Sequence, residues 1–575
     1  MSPALSGVMR FSLCPDWLDL TNRETLTADA SAGLTVAVML VPQAMAYAML
    51  AGLPPVVGLY ASVVPLLVYA FFGTSRQLAV GPVAMVSLLT ATGVGAIAAS
   101  GTEGYLGAAL ILAVMVGGIQ VAMGVFRLGY LVNFLSHPVL SGFTSAAALI
   151  IGSSQLKHVL GVDIPRSHHV HETLRHVWHQ LPDANVPTVA LGLASVAGLV
   201  LLKKYAKRAP GPLLVVGGAM AAVAALDLGA AGVTLVGAVP SGLPAPQLPR
   251  WDSTVATELL PIALTISLVA FMESISVAKV FANKHGYRLD PDRELVGLGA
   301  ANLASAVFGG YAVTGGFSRT AVNDQSGART PLASVITALG VAGALLFLTP
   351  LFAWLPKAVL AAIILVAVAG LVDVEEVRHL WHADKVDLGL LALTFVATLA
   401  FGIEQGILAG VGASMVVFVA RRTRPHFAVL GRLPGTRVWR NVENFPEART
   451  TPGVLALRLD AAFYFGNVTF LEDTLTRLEE EMDQPLEAVV LDAIAINDLD
   501  SSAAHALKGI AAAYSERGVR LMLANVKGPV RLALERNRID ADLGPSNVVL
   551  TVCDAMHSLG VACGDSAPLS GDAAA

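Results

Sequence analysis

The sequence predicts a polytopic α-helical membrane protein that ends in a small α/β domain. Only 14% of its 575 residues are charged and 55% are hydrophobic, whereas soluble globular domains carry roughly 25% charged residues. Uncharged runs recur between about residues 30 and 420, and at roughly 20 residues per crossing this region holds about 12 to 14 spans. The C-terminal part differs, because residues 451–575 carry 18 acidic and 9 basic side chains, a net charge of −9, against +4 for residues 1–450.

Residues 1–28 are predicted to form a cytoplasmic N-terminal segment. The charged side chains that precede the first span do not fit the apolar core of a cleavable signal peptide. The three cysteines, Cys14, Cys553 and Cys563, match no metal-ligand spacing and no disulfide framework. We therefore expect free thiols, all on the same reducing side of the membrane.

Lysine and arginine cluster in alternate loops of the predicted membrane domain, residues 29–424. The positive-inside rule places these loops in the cytoplasm, and they lie at 203–208, 279–293 and 421–424. With an even number of spans, both termini and the acidic domain are then cytoplasmic. The loop from residue 157 to residue 187 is expected on the outer side.

This outer loop is rich in histidine. His176 and His179, spaced i,i+3, could bind zinc on a helix, but an exposed loop without cysteine or a carboxylate set is more often just polar. We therefore expect no metal site. The loop histidines are His168, His169, His171, His176 and His179.

Two short breaks interrupt the apolar pattern at membrane depth, at Leu78–Ser87 and at Tyr311–Asn323. Each joins a short extended run to Gly or Pro and then to a helix-like stretch. Backbone broken inside a membrane leaves unpaired amides, which are tolerated only where they line a cavity or bind something. One break lies in each half of the chain, and the halves meet near residues 228–255. The pattern is typical of transporters in which two half-helix N-termini face one anion site.

Two charged side chains within the spans are candidates for this site. A cation at membrane depth is costly and marks a functional site or a buried pair. We therefore predict that Arg319 binds an anion together with the neighbouring Ser318 and the free amides at the helix ends. The alternative is that Arg319 only neutralises Glu273 and holds two helices together. Glu273 is predicted to take up a proton alongside the anion, and its alternative role is a permanently ionised structural partner.

Three uncharged residues complete the predicted site. Gln43 can donate hydrogen bonds to an anion or bridge two helices, and the adjacent Pro42 is expected to interrupt the span. Val83 and Phe317 stand at the starts of the two half-helices and are predicted to wall the pocket. Their alternative role is plain packing.

Beyond the membrane domain, short strands alternate with amphipathic helices, which predicts an α/β domain over residues 451–560. A linker is expected at 425–450 and a disordered tail at 561–575. Asp500 and Ser501 stand where a helix begins and suit N-cap positions. The alternative is that Ser501 is a regulatory phosphorylation site.

The chain is not expected to be an enzyme. No P-loop, nucleophile elbow or HExxH motif occurs in the sequence, and no cofactor is predicted. The net charge of −5 gives no indication of nucleic-acid binding.

Several stretches together resemble the sulfate permease (SulP) family of anion transporters, which includes solute carrier family 26. The C-terminal part resembles the STAS domain of this family, so the resemblance covers almost the whole chain. The matching stretches are Asp29-Ala-Ser-Ala-Gly33, Val41-Pro-Gln-Ala-Met-Ala-Tyr47, Ala51-Gly-Leu-Pro-Pro55, Gly58-Leu-Tyr60, Gly81-Pro82, Glu273-Ser-Ile-Ser-Val-Ala-Lys279 and Gly315-Gly-Phe-Ser-Arg-Thr-Ala-Val-Asn323.

The resemblance implies two inverted seven-helix repeats, with a core domain from the first four helices of each repeat and a gate domain from the last three. It implies that the core moves against the gate as an elevator, in a homodimer whose STAS domains lie in the cytoplasm, where a partner could bind them. The acidic residue of the family's eighth helix maps onto Glu273, and the phosphorylated serine of related STAS domains maps onto Ser501. The family's anion site maps onto Val83, Ser318 and Arg319, with Gln43 nearby.

The stretches around Glu273 and Arg319 look most like the proton-coupled sulfate branch of the family. The resemblance therefore implies a transporter that imports sulfate with protons across the lipid bilayer of the inner membrane. Sodium-coupled bicarbonate members tend to carry an aspartate in the eighth helix, where this chain has Glu273. Bicarbonate, dicarboxylate and chloride transport share the scaffold and stay open. An alternative from another class is an anion-gated membrane sensor that acts through the STAS domain.

Overall fold

The computed structural model describes residues 22–130, 136–164, 170–206, 210–539 and 543–563. The chain divides into two compact units, residues 1–414 and 415–575, and each is described by itself. Residues 1–21 of the predicted N-terminal segment, residues 564–575 of the predicted tail, and Cys14, His168 and His169 lie outside the described residues.

The helices of the first unit fall into two halves, separated by residues 227–252. The helices of the first half are α1 (Arg23–Leu50), α2 (Pro55–Tyr60), α3 (Val64–Phe72), α4 (Ala84–Ile97), α5 (Glu103–Val125), α6 (His137–Leu160), α7 (Val170–Gln180), α8 (Val186–Tyr205) and α9 (Gly211–Leu226). Those of the second half are α10 (Ser253–His285), α11 (Pro291–Val307), α12 (Phe317–Gln325), α13 (Leu332–Phe347), α14 (Lys357–Val368), α15 (Val374–Ala383), α16 (Lys385–Phe401) and α17 (Ile403–Thr423), in which the boundary between the units falls.

Eight helical segments of the described chain are long and apolar enough to cross a membrane. They are α1, α2 joined to α3, α5, α6, α8, α10, α14 joined to α15, and residues 405–423 of α17. The helices that follow the two breaks are shorter, with 14 residues in α4 and nine in α12. At 1.5 Å per residue each spans only part of a hydrocarbon core about 30 Å thick, as expected for half-helices.

The ends of α10 follow from its local sequence. Asp252 is the N-cap, and its Oδ1 accepts hydrogen bonds from the amides of Thr254 at 2.9 Å and Val255 at 3.3 Å. Gly286 ends the helix with a φ of 69°, a left-handed conformation that favours glycine. The resulting helix has 33 residues and carries Glu273 in its interior.

The helices of the first unit pack in two groups that draw on both halves. The core group contains α1 to α5 and α10 to α13, and the gate group contains α6, α8, α9, α14 and α16. In the core group α5 and α11 approach closely at two facing glycines. A Cβ atom added to Gly117 would lie 2.7 Å from the carbonyl oxygen of Gly299, and one added to Gly299 would lie 2.7 Å from that of Gly117. Small residues permit such backbone contact between membrane helices.

The second unit is built on a six-stranded sheet of β3 (Phe427–Arg432), β4 (Trp439–Asn441), β5 (Val454–Leu459), β6 (Ala488–Asp492), β7 (Arg520–Ala524) and β8 (Val548–Val549). The order across the sheet is β4-β3-β5-β6-β7-β8. Strands β5 to β8 run parallel, and β3 is antiparallel to both β4 and β5. The helices are α18 (Val468–Glu480), α19 (Ser501–Glu516), α20 (Gly528–Arg536) and α21 (Val552–Ser558). Apolar clusters on both faces of the sheet give this unit its own core.

Residues 425–450 differ from the linker expected there, because they contain β3 and β4. Strand β3 pairs with β5 from Phe427 opposite Leu459 to Val429 opposite Leu457, and Ala428 is buried against the sheet core. The apolar run of β3 is short and its pairing partner lies about 30 residues further on. This segment therefore belongs to the sheet.

The prediction of free thiols is wrong for two of the three cysteines. Cys553 in α21 and Cys563 form a disulfide that joins residues ten positions apart, with their Cα atoms 5.7 Å from each other. Residues 559–563 turn back along α21, and the backbone oxygen of Ala562 accepts a hydrogen bond from Arg432 at 2.8 Å. This return of the chain brings the two sulfur atoms together.

Candidate functional site

The two breaks lie side by side in the structure. Val80 pairs with Gly315, and Gly81 with Thr314, in a two-stranded antiparallel ladder of β1 (Val80–Gly81) and β2 (Thr314–Gly315). The amide of Gly316 extends this ladder with a 3.1 Å bond to Ala79. The half-helices α4 and α12 therefore both start from one small sheet.

Side chains of α12 satisfy the backbone of the first break. The hydroxyl of Thr320 accepts a hydrogen bond from the amide of Ala79 at 3.1 Å. The amide group of Asn323 donates to the carbonyl oxygen of Gln77 at 2.9 Å. Buried backbone groups are costly when unpaired, and here polar side chains of the opposite half replace strand neighbours.

Side chains of α11 satisfy the backbone of the second break in the same way. The side-chain amide of Asn302 accepts from the amide of Val313 at 2.7 Å and donates to its carbonyl oxygen at 3.1 Å. The hydroxyl of Ser305 donates to the carbonyl oxygen of Tyr311 at 2.6 Å. Both breaks are therefore held rigidly at buried positions.

The starts of both half-helices are left without side-chain caps. Val83 is the N-cap of α4 and Gly316 is the N-cap of α12, and neither receives a side-chain cap hydrogen bond in the described chain. The first intrahelical bonds come from the amides of Ser87 and Thr320. The earlier amides of each helix point out of the helix end, an arrangement that suits an anion.

Arg319 lies between the two breaks and is 1% exposed. Its guanidinium donates to the carbonyl oxygen of Pro82 at 2.6 Å and to that of Ala79 at 3.5 Å. No ion pair within 4.0 Å joins Arg319 to Glu273 among the residues that the structure describes. The arginine therefore binds the backbone of the first break and keeps its positive charge beside both helix starts.

Several buried polar atoms near Arg319 have no partner in the described part of the chain. They are Nε of Arg319, Oε2 of Glu273 and Oε1 of Gln43. Tyr47, one helical turn after Gln43, accepts a 3.4 Å hydrogen bond from the Gln43 side chain and lies within electrostatic range of both Arg319 and Glu273. Unpaired buried polar groups in native structures require an explanation such as a ligand. The structure thus brings together three of the predicted site residues, and it adds Tyr47.

The other predicted site residues take different positions. Val83 is buried at the start of α4, whereas Phe317 is 59% exposed and the adjacent Ser318 is also exposed. Tyr47 was not selected from the sequence, although it lies four residues after Gln43 in the same helix. That spacing places both side chains on one helix face.

A charged cluster that sequence reasoning missed joins the ends of α10 and α12. The carboxylate of Asp324 lies 2.5 Å from Nζ of Lys284 and 2.5 Å from Nε2 of His285. The Asp324 side chain is 2% exposed. This cluster connects the helix of Glu273 to the helix of Arg319, and its members are about 40 residues apart in the sequence.

A cavity of about 530 Å³ lies elsewhere in the first unit, between α1, α4, α6, α10 and the start of α17. Leu88 and Ile97 of α4, Lys157 of α6 and Glu258 of α10 contribute to its wall. Arg319 and Glu273 do not line it. We assign the candidate site by the unpaired polar atoms and not by this cavity, because size alone does not identify an anion site.

The histidine-rich segment of residues 157–187 contains the helix α7. His171, His176 and His179 lie in α7. No group of three or more His, Cys, Asp or Glu side chains that could hold a metal ion is present within the described ranges.

The predicted helix start in the second unit is present at Asp500. Its carboxylate accepts hydrogen bonds from the amides of Ala503 at 2.8 Å and Phe465 at 2.9 Å, so the N-cap role of Asp500 is confirmed. Ser501 is the first residue of α19 and is exposed.

Asp460 forms the centre of a second charged cluster in this unit. It accepts hydrogen bonds from Arg458 at 2.5 Å and from His426 at 2.8 Å. Partial burial acts to raise the pKa of Asp460, but the hydrogen bonds from these two side chains and their positive charges outweigh it and lower the pKa below its ordinary value.

Comparison with known sequences connects these features to a family. The sequence model of the Sulfate permease family matches residues 26–394, and that of the STAS domain matches residues 445–555. Sulfate transporter 4.1, chloroplastic, of Arabidopsis thaliana is 41% identical over 553 residues, which cover 93% of this chain and 80% of the relative. A probable sulfate transporter of Mycobacterium tuberculosis is 35% identical over 537 residues, which cover 93% of this chain and 96% of the relative.

Solved structures show the same architecture. The murine SLC26A9 anion transporter in the inward-facing state matches with a TM-score of 0.88 and 25% identity, over 95% of this chain and 93% of that one. The transmembrane domain of a cyanobacterium bicarbonate transporter, BicA, matches with a TM-score of 0.61 and 25% identity, over 68% of this chain and 98% of that one. The predicted fold of two inverted seven-helix repeats with a C-terminal STAS domain is confirmed.

Proposed function

Because the chain belongs to the sulfate permease family, we propose that it is a secondary active transporter that takes up sulfate together with protons. The family comprises anion transporters and not enzymes. The observation that carries the proposal is Arg319, a buried cation with an unpaired Nε atom that lies between two uncapped helix starts. Sulfate needs several hydrogen-bond donors and compensating positive charge, and this arrangement supplies both.

We assign the anion site to Arg319 and Ser318 with the helix-start amides, Gln43 as a further donor, and Val83 and Phe317 as its apolar border. Glu273 is the proposed proton carrier. Its unpaired Oε2 lies in the neighbourhood of Arg319, so protonation of Glu273 changes the net charge that an incoming anion meets. An anion and a proton can then enter together at a lower electrostatic cost than either alone.

Uptake of radiolabelled sulfate into proteoliposomes under an imposed pH gradient tests this function. We expect an inward proton gradient to accelerate uptake, and Glu273→Gln to remove that acceleration while sulfate–sulfate exchange continues. Arg319→Ala should abolish both. Arg329→Ala is a matched control, because that side chain is exposed and pairs with Glu24 at 3.4 Å. Absence of sulfate flux, or normal transport by Arg319→Ala, would contradict the proposal.

A second candidate substrate is bicarbonate, favoured by the structural likeness to the transmembrane domain of BicA. A sodium gradient should then drive uptake better than a proton gradient. Dicarboxylates or chloride would instead compete with sulfate in exchange assays. Sulfate uptake driven by a sodium gradient and not by a proton gradient would support the bicarbonate-like mechanism over proton-coupled sulfate uptake.

We further propose that the core group moves against the gate group as an elevator, in a homodimer in the inner membrane with both termini in the cytoplasm. A chemical cross-link between the two groups is expected to stop uptake and leave anion binding intact. Uptake by the cross-linked protein would argue against this motion.

For regulation we propose phosphorylation of Ser501 and recognition of the STAS domain by a cytoplasmic partner. Ser501→Glu is expected to alter transport or partner binding, and Ser502→Glu is the matched control because Ser502 is also exposed and occupies the next position of α19. Equal behaviour of the two variants would remove Ser501 from the proposal.

A further inference from the structure

A chain of hydroxyl groups joins α10 to the second break directly beside Glu273. The amide of Gly315 donates to Oγ of Ser274 at 2.8 Å. Oγ of Ser274 lies 2.6 Å from Oγ1 of Thr314, which donates to the carbonyl oxygen of Ala270 at 2.6 Å. Ser274 and Thr314 are both fully buried.

The direction of each of these three hydrogen bonds is fixed. The Gly315 amide can only donate and the Ala270 carbonyl can only accept. Thr314 uses its proton for that carbonyl, so the proton of Ser274 must point to Thr314. The order is therefore Gly315 to Ser274 to Thr314 to Ala270, with one donor and one acceptor at each step.

The bonding of Ser274 departs from the usual pattern for serine in a helix. A helical serine commonly donates to the carbonyl four residues earlier, as Ser267 of the same helix does to Ala263 at 2.7 Å. At Ser274 the hydroxyl of Thr314 is inserted between the serine and the carbonyl of Ala270. This insertion adds links between the break and α10 beyond the bond from the Gly315 amide to Ser274.

These hydrogen bonds connect the part of α10 that carries Glu273 to the start of α12, which carries Arg319. Ser274 follows Glu273 in α10, and Gly315 lies immediately before Gly316, the N-cap of α12. Arg319 stands in the first turn of that helix. A shift of α10 that accompanies a change of charge at Glu273 reaches the start of α12 through three short bonds. The two buried hydroxyl groups have no further partner among the described residues and therefore little freedom to absorb the shift.

We propose that Ser274 and Thr314 are positioning residues that couple the charge state of Glu273 to the position of the anion-binding helix start. This inference rests on the proposed function for the assignment of Glu273 as the proton carrier. It adds to that function the path by which the carrier acts on the anion site.

A double-mutant cycle tests the coupling without any substrate. Thr314→Val keeps the side-chain shape and removes the hydroxyl, and Thr314→Ser keeps the hydroxyl. Each is combined with Glu273→Gln in the full-length protein in lipid nanodiscs, and amide hydrogen exchange is followed over residues 311–319. With threonine or serine at position 314, we expect Glu273→Gln to change the amide exchange rate about 5-fold, which is the effect of roughly one hydrogen bond. With valine at position 314, the change should be less than about 2-fold.

Thr398→Val controls for the loss of a buried hydroxyl in general, because the Thr398 hydroxyl donates within its own helix, to the carbonyl oxygen of Thr394 at 2.7 Å. With this variant the response to Glu273→Gln should remain about 5-fold. An equal response with valine and serine at 314, or no response in any background, would overturn the inference.

Sulfate kinetics provide a second readout that separates this inference from the proposed function. In the wild type and Thr314→Ser, the KM for sulfate should depend on pH, and in Thr314→Val that dependence should be at least about 5-fold weaker. A wild type without sulfate uptake would contradict the proposed function, and the exchange experiment would still decide on the coupling. A wild-type pH dependence that Thr314→Val retains in full would overturn the coupling.

Discussion

Gly316→Ala is a small change that moves the guanidinium of Arg319 without removing it. Gly316 has φ of −103° and ψ of 127°, a conformation that alanine adopts without strain. The added Cβ atom would lie 2.9 Å from Nη2 and 3.0 Å from Cζ of Arg319, whereas ordinary contacts of a Cβ atom are 3.4 to 4 Å. The guanidinium must therefore move away by about 0.5 Å.

This displacement acts on the hydrogen bond between Arg319 and the carbonyl oxygen of Pro82, which is 2.6 Å long. A hydrogen bond with a charged partner contributes about 1.5 to 3 kcal/mol. If the geometry of the anion site depends on the bond from Arg319 to Pro82, the loss of this bond should increase the sulfate KM roughly 10- to 150-fold. The assay is initial-rate uptake of radiolabelled sulfate into proteoliposomes over a range of concentrations.

Gly343→Ala in α13 is the matched control, because a Cβ atom there would meet no described atom within 4 Å. Its sulfate KM should equal that of the wild type. A sulfate KM of Gly316→Ala that matches the Gly343→Ala value would refute the reasoning that the position of the Arg319 guanidinium determines anion binding.

Three further outcomes test other parts of the structure. Asp324→Asn removes a buried charge that is hydrogen-bonded to Lys284 and His285 and should lower the stability of the purified protein by about 1.5 to 3 kcal/mol, and an unchanged thermal midpoint would contradict this. Because the pKa of Asp460 is lowered, its contribution to stability is present above the ordinary value of 3.8 and is lost as the pH falls below it. Denaturant melts of a fragment of residues 424–563 should thus show Asp460→Asn less stable near neutral pH, with the difference shrinking as the pH falls below 3.8; a constant difference would count against the cluster. The Cys553–Cys563 disulfide closes a short loop, and Cys563→Ser should cost that fragment up to about 2 to 3 kcal/mol under oxidising conditions; thiol labelling of both cysteines without a reductant would show that no disulfide forms.

The membrane domain was predictable because its signals are local. The low charge and recurring apolar runs indicate spans wherever they occur, and Gly81-Pro82 and Gly315-Gly316 break the pattern at fixed places in the sequence. Arg319 was conspicuous for the same reason, since a cation among apolar residues is detectable without a partner. The strands at 427–441 were missed because the apolar run of β3 is short and its pairing partner comes later in the chain.

The disulfide and the Asp324 cluster could not be predicted because each depends on how the chain returns on itself. Cys553 and Cys563 match no known spacing. Asp324 is an ordinary helix-end acid until α10 brings Lys284 and His285 to it.

The sequence by itself determined that this chain spans a membrane, that it breaks its helices twice and that it ends in an α/β domain. These properties depend on residues that are neighbours in the chain. The tertiary structure alone decided that the two breaks pair with each other, that Arg319 binds Pro82 across 237 residues, and that Thr314 inserts between Ser274 and its helix. The packing of distant helices determines hydrogen-bond partners of this kind. In an apolar layer each buried polar group either pairs with such a partner or remains available to a ligand.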